Sequence, residues 1–95
     1  MEIVKDKDLL DLSKRIAAEW EFVARYLTIE EAQINIFKKD YDHTRERIYQ
    51  MLLFWKKEKG NGATYRVLTQ ALRQSERNDL ADDLSLRQGN MGIIL

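Results

Sequence analysis

The chain has 95 residues, 44% hydrophobic and 34% charged, and its 16 basic and 16 acidic side chains cancel to a formal net charge of +0. That is enough apolar material for one modest core, and it lacks the positive excess that displaces counterions from nucleic acid or holds an anionic membrane. Without cysteine there are no disulfides, thiolate nucleophiles or zinc–cysteine centres, and no apolar run approaches the ~20 residues of a membrane span.

Met-Glu-Ile-Val-Lys-Asp-Lys at the start has no apolar signal core, so a reducing, cytoplasmic compartment is expected. Residues 1–7 read as a lead-in. From Asp8 onward Leu9, Leu12 and Ile16 recur at i, i+3 and i+7, with Leu10 and Ala17 alongside, which predicts a first helix. Trp20, Val23, Ala24 and Leu27 form a second stripe out of phase with the first, so the chain is expected to bend near Ala18–Glu19. Thr28 with Glu31 three places on predicts a capping box and the start of a third helix, with Ile29, Ile34 and Phe37 inward. Asp40 to His43 is a polar connection in which Asp42 is the expected N-cap.

The fourth helix, TRERIYQMLLFWKKEK, carries Ile48, Met51, Leu52 and Trp55 on one stripe, widened by Leu53 and Phe54. Lys56, Lys57 and Lys59 meet the negative end of its macrodipole, and Gly60 supplies the left-handed stop. Thr64 is the expected cap of a fifth helix with Val67, Leu68, Ala71 and Leu72 inward. Asn78 or Asp79 then caps a short sixth helix carrying Leu80, Ala81 and Leu84. Residues 87–95, RQGNMGIIL, show no helical period and read as a flexible tail. Nothing in the chain alternates as a strand does. The expected fold is all-α, a six-helix antiparallel bundle with short links.

The residue types needed for catalysis are missing. His43 is the single histidine, and it reads as a solvated loop residue rather than a base. Thr28, Thr44 and Thr64 sit at helix starts, where capping accounts for them. Asp79, Asp82 and Asp83 cluster in the first turns of a helix, where the dipole favours acids without any metal. Gly-Asn-Gly at 60–62 lacks the strand, lysine and hydroxyl of a phosphate loop. No catalytic residue, cofactor or metal is expected. A small nucleic-acid-binding helical domain is the alternative reading, but Arg45 and Arg47 flank Glu46, and the fifth helix offers only Arg66 and Arg73. Trp20 and Trp55 fall on inward stripes. Phe22, Tyr26, Ile36 and Phe54 exceed what one face per helix buries: either the bundle buries more than one face of those helices, or some of the four line an exposed patch that marks an interaction site.

Several blocks together resemble one family. EWEFVARYL resembles the recurrent W-x-x-L-A-R-x-L of death domains, with Val23 in the leucine place. IEEAQINIF resembles their third helix, and ERIYQMLLFWKK their fourth, which ends in Trp-Lys. GATYRVLTQALRQSERNDLADDL resembles the A-T-x-x-x-L-x-x-A-L-R and N-x-x-A-D-L blocks of helices five and six, and is most like the Fas-associated adaptor branch of the family. The resemblance covers residues 8–86. One departure is the link DYDHT, which is short and lacks the proline common there.

The resemblance implies a death-fold Greek key and a non-enzymatic module. Such a module binds other death domains to build a cytoplasmic apoptotic or innate-immune signalling complex, with neither a small-molecule substrate nor nucleic acid as partner. Self-association is possible within that expectation. Two docking surfaces follow. One is the second and third helices with Glu21, Arg25, Lys38 and Asp40, complemented by Lys14 and Arg15 on the first helix and outward residues of the fourth. The other is the turn after the fourth helix, with Lys57, Lys59 and Asn61, meeting the link around Arg77. For each of these charges the plain alternative is a solvated side chain worth little.

Overall fold

The computed structural model describes residues 2–93. Among them the chain forms six helices, α1 (Asp6–Arg15), α2 (Trp20–Tyr26), α3 (Glu31–Asp40), α4 (Thr44–Lys59), α5 (Tyr65–Gln74) and α6 (Asn78–Ile93), with a 3₁₀ turn at Gly60–Gly62. α5 packs along α6 and α1 along α4, while α2 lies against α3, α4 and α5. The all-α bundle matches the fold expected from periodicity.

The core is the set of stripes read from the sequence. Leu9, Leu12, Ile16, Trp20, Val23, Ala24, Leu27, Ile29, Ile34, Phe37, Ile48, Met51, Leu52, Trp55, Leu68, Ala71, Leu72, Leu80, Ala81 and Leu84 are all buried. Three expected inward residues are not: Leu10 and Val67 are exposed, as is Ala17. Phe54 is half-buried and meets Phe37 edge to face, with ring centroids 5.7 Å apart. Phe22, Tyr26 and Ile36 stay exposed.

The helix ends decide how the elements face one another. α2 and α5 both stop in a Schellman motif. Ile29 N–H donates to Ala24 C=O at 3.0 Å and Thr28 N–H to Arg25 C=O at 2.9 Å. Arg77 N–H donates to Leu72 C=O at 2.9 Å and Glu76 N–H to Arg73 C=O at 3.0 Å. The left-handed residues are Thr28 (φ 67°) and Glu76 (φ 63°), not the glycines such positions favour. This overturns the expected capping box. Thr28 closes α2, its hydroxyl bonds to Leu27 C=O, and α3 starts only at Glu31 with no side-chain cap. Asp42 does not cap α4 either; His43 holds that position, also without a side-chain bond.

Two other ends follow expectation. Gly60 terminates α4 at φ 53°, and its N–H donates to Lys56 C=O. Thr64 Oγ1 accepts the Val67 N–H at 3.3 Å and caps α5. The break between α1 and α2 comes earlier than read: α1 stops at Arg15, Ile16 is extended, and the turn at Ala18–Glu19 leads into α2.

Both ends of the chain depart from expectation. The lead-in is built into the fold: Val4 is buried, and its N–H donates to Ala63 C=O at 2.9 Å. Ile3 and Thr64 form an isolated antiparallel bridge, and Lys5 N–H reaches Tyr65 Oη at 3.2 Å. At the other end the backbone is helical through Ile93, so the segment from Arg87 is not a structureless tail as far as it is described. The tail's last two residues, Ile94 and Leu95, lie outside the described residues, as does Met1 of the lead-in.

Candidate docking surfaces

On α2 the exposed edge carries Glu21, Phe22 and Arg25, and the left-handed turn at Thr28 folds the start of α3 back beside it. Glu31 thereby meets Arg25. The guanidinium grips this carboxylate as a fork, Nε to Oε2 and Nη2 to Oε1, the latter at 3.2 Å. Nη2 also reaches Glu21 Oε1 at 3.4 Å, and Lys38 Nζ lies 3.5 Å from Glu21 Oε2. The Arg25 guanidinium carbon sits 5.5 Å from the centroid of the Phe22 ring, a cation–π arrangement. The hydrogen bond that Arg25 donates to Glu31 raises the Arg25 pKa, and the same bond lowers that of Glu31.

Three of the four residues expected on this surface, Glu21, Arg25 and Lys38, therefore form one network. Asp40 is exposed at the end of α3, outside it. Glu31 is the member that sequence reasoning missed, because its spacing from Thr28 suggested a capping role. The hydrophobic Ile29 just past the turn was the available signal, since threonine itself announces none.

The expected complement on α1 is divided. Lys14 is exposed. Arg15 is committed inside the domain, with Nη1 2.7 Å from Asp83 and 3.4 Å from Asp11. Arg87 joins the same lattice, bonding Asp8 at 3.0 Å, Asp11 at 2.9 Å and Asp83 at 3.0 Å, so that α6 is pinned to α1 by charge. For Asp11, burial pushes the pKa up, but hydrogen bonds from Arg87 and Arg15 outweigh it and the net shift is downward.

At the hinge after α4, Lys57, Lys59 and Asn61 are exposed, and Lys57 and Asn61 border an open groove of about 540 Å³ with Ile3, Leu53 and Lys56. Lys56 is tied to Asp6 at 2.7 Å. Arg77, expected opposite this edge, is instead used within the chain. It holds Glu19 at 2.6 Å, Asp79 at 3.0 Å and the Arg15 carbonyl at 3.3 Å, locking the α1–α2 link to the α5–α6 link.

No group of three or more histidine or carboxylate side chains suited to a metal is found among the described residues, and none of their helices is long and apolar enough to cross a membrane. His43 is exposed at the start of α4, 460 Å³ of open groove beside it being shared with Leu10 and Tyr49.

A family model described as "Death domain" matches residues 4–87. The human receptor-interacting serine/threonine-protein kinase 1 is 38% identical over 82 residues, covering 83% of this chain and 12% of that protein. Mouse tumor necrosis factor receptor superfamily member 10B is 34% identical over 65 residues, covering 68% of this chain and 17% of the receptor. Mouse THO complex subunit 1 is 27% identical over 82 residues, covering 86% of this chain and 12% of that protein. The chain thus spans a small part of each relative's length. With a family model running across nearly all of its helices, the chain belongs to the death domain family.

Proposed function

We propose that this chain is a non-enzymatic interaction module that binds other death domains, as an adaptor does, to assemble a cytoplasmic apoptotic or innate-immune signalling complex. The observation that carries this reading is the make-up of the α2–α3 face: Phe22, 56% exposed, lies beside Arg25 within a ring of paired charges. Aromatic and arginine side chains are what interface hot spots favour, because both bring rigid contact area and arginine adds a planar fork for a carboxylate.

Family contacts between unlike faces make the binding heterologous, so one copy's α2–α3 face meets another surface of its neighbour and growth need not close. Lys57, Lys59 and Asn61 supply a second edge at the hinge. Lys14 and Asp40 remain candidate rim contacts. Arg15 and Arg77 contribute by holding the scaffold on which these edges sit. The output is proximity, since an effector linked to such a module rises in local concentration when the module joins an assembly.

The test is Arg25→Glu, read by sedimentation of the chain with itself and by a circular dichroism melt. Loss of association with the melt within a few degrees of wild type supports the reading. Undiminished association by the folded variant removes α2 from the interface.

A further inference from the structure

The Arg25 fork is already filled. Its Nε and Nη2 edge is taken by Glu31 and shared with Glu21, its ring-facing side by Phe22, and Nη1 has no partner among the described residues. A partner's acid cannot use the strong two-bond geometry while Glu31 is there. Nor does the face draw an acid from a distance, because Glu21 and Glu31 balance Arg25 and Lys38.

Three further observations bear on how the fork could be handed over. Glu31 is among the more exposed side chains of the network, at 61%, so it can leave without opening the core. Lys38, two turns along the same face of α3, already acts on Glu31 electrostatically and lies 3.5 Å from Glu21. The pairing is also set by backbone: the left-handed Thr28 turn holds the start of α3 against α2, keeping Glu31 at the fork in the free protein.

We propose that Glu31 is an internal stand-in for a partner's carboxylate. Docking at the α2–α3 face then proceeds by exchange: the partner's acid takes the Arg25 fork and Glu31 turns toward Lys38. The proposal rests on the docking role of Arg25 given above. It identifies the kind of partner the face accepts, one that presents an acidic side chain rather than a basic or purely apolar surface. Glu31 makes the face selective, because only a partner whose other contacts outweigh the lost internal pair completes the exchange. Exposed charge pairs are individually weak, so the competition sets a threshold rather than a block.

The experiment uses Glu31→Gln, which keeps the side chain's shape and removes its charge. In the first arm, inorganic phosphate is titrated while the Arg25 Nε–H resonance is followed by NMR. The variant is expected to respond at about two- to fivefold lower phosphate than wild type, the range that exposed pairs allow. Identical titrations overturn the exchange, whether or not the chain assembles. In the second arm, self-association is measured by sedimentation. Glu31→Gln is expected to tighten it by about the same factor, while Arg25→Glu abolishes it. Weaker association of Glu31→Gln makes Glu31 a direct contact and overturns the proposal. A phosphate response as expected, combined with normal association by Arg25→Glu, instead sinks the docking role on which the proposal rests.

Discussion

Tyr65 donates its hydroxyl proton to Asp8 Oδ2 across 2.5 Å, joining the first turn of α5 to the first turn of α1. Asp8 Oδ1 takes Arg87 Nη1 at 3.0 Å, and Tyr65 Oη in turn accepts the Lys5 N–H at 3.2 Å. Both Tyr65 and Asp8 are buried. One polar chain thus links the amino-terminal segment, α1, α5 and α6 inside an otherwise apolar region.

Burial, followed by the Asp8 carboxylate, pushes the Tyr65 hydroxyl up to about 12 from an ordinary 10.0. The folded state holds this proton more tightly than the unfolded chain does. Its contribution is therefore fully present below pH 10 and is lost as the pH rises toward 12. At about 1.4 kcal/mol per unit, wild type is expected to lose on the order of 2–3 kcal/mol over that window from this group. Tyr65→Phe is expected to cost about 1–3 kcal/mol at neutral pH, because Asp8 loses a buried partner, and to remove that share of the alkaline loss. Urea melts of both proteins at pH 7, 10 and 11 check this; parallel pH profiles would show that Tyr65 is not the titrating group.

Arg77→Ala is expected to destabilise the domain by about 1 kcal/mol or somewhat more, since its charged bonds to Glu19 and Asp79 hold two links together. The loss has a pH signature. Burial alone would raise the Glu19 pKa, but backbone hydrogen bonds and Arg77 bring it below 4.5. That stabilisation is present above the ordinary carboxylate range and fades as the pH falls through the depressed value. The gap between wild type and Arg77→Ala should therefore narrow in acid. A constant gap from pH 7 to pH 3 in chemical denaturation would exclude the pairing as its source.

Gly60→Val is expected to lower stability by about 1–2 kcal/mol through backbone strain alone. A Cβ at Gly60 meets nothing within 4 Å, so no packing is disturbed, but φ is 53°. For a domain of this size that corresponds to a melting temperature lower by roughly 4–15 °C. Core NMR shifts should be unchanged. A melt equal to wild type would show that the hinge relaxes into another conformation at no cost.

Much of the bundle was legible because apolar period is a robust signal. The stripe of α4, for example, places Trp55 in the core directly, where it is 1% exposed although its indole N–H has no partner among the described residues. The turns were less legible. Thr28 and Glu76 take a conformation that glycine or asparagine announces and that threonine and glutamate do not, so α3 was started three residues early. The role of Glu31 was lost with it. Val4 was missed because a single buried residue has no period. For the docking residues, type and rough position were readable, but pairing was not. Whether Arg15, Arg25 or Arg77 points to a partner or to its own chain depends on carboxylates up to 68 positions away, such as Asp83 for Arg15.

The strap formed by Val4 across the hinge has a bearing on the order in which the domain folds. Lys5 and Tyr65 are 60 positions apart, so making these contacts first would close a long loop before anything rewards it. The hairpin of α5 and α6, joined by a short link, needs no such closure and can assemble early from neighbours in the chain. The strap is then a late event, absent from the transition state. Val4→Ala should speed unfolding by nearly its whole equilibrium cost and leave the refolding rate almost untouched, which a chevron plot of the two proteins measures. The amino-terminal strap would in this way govern how long the folded module lasts more than how quickly it forms.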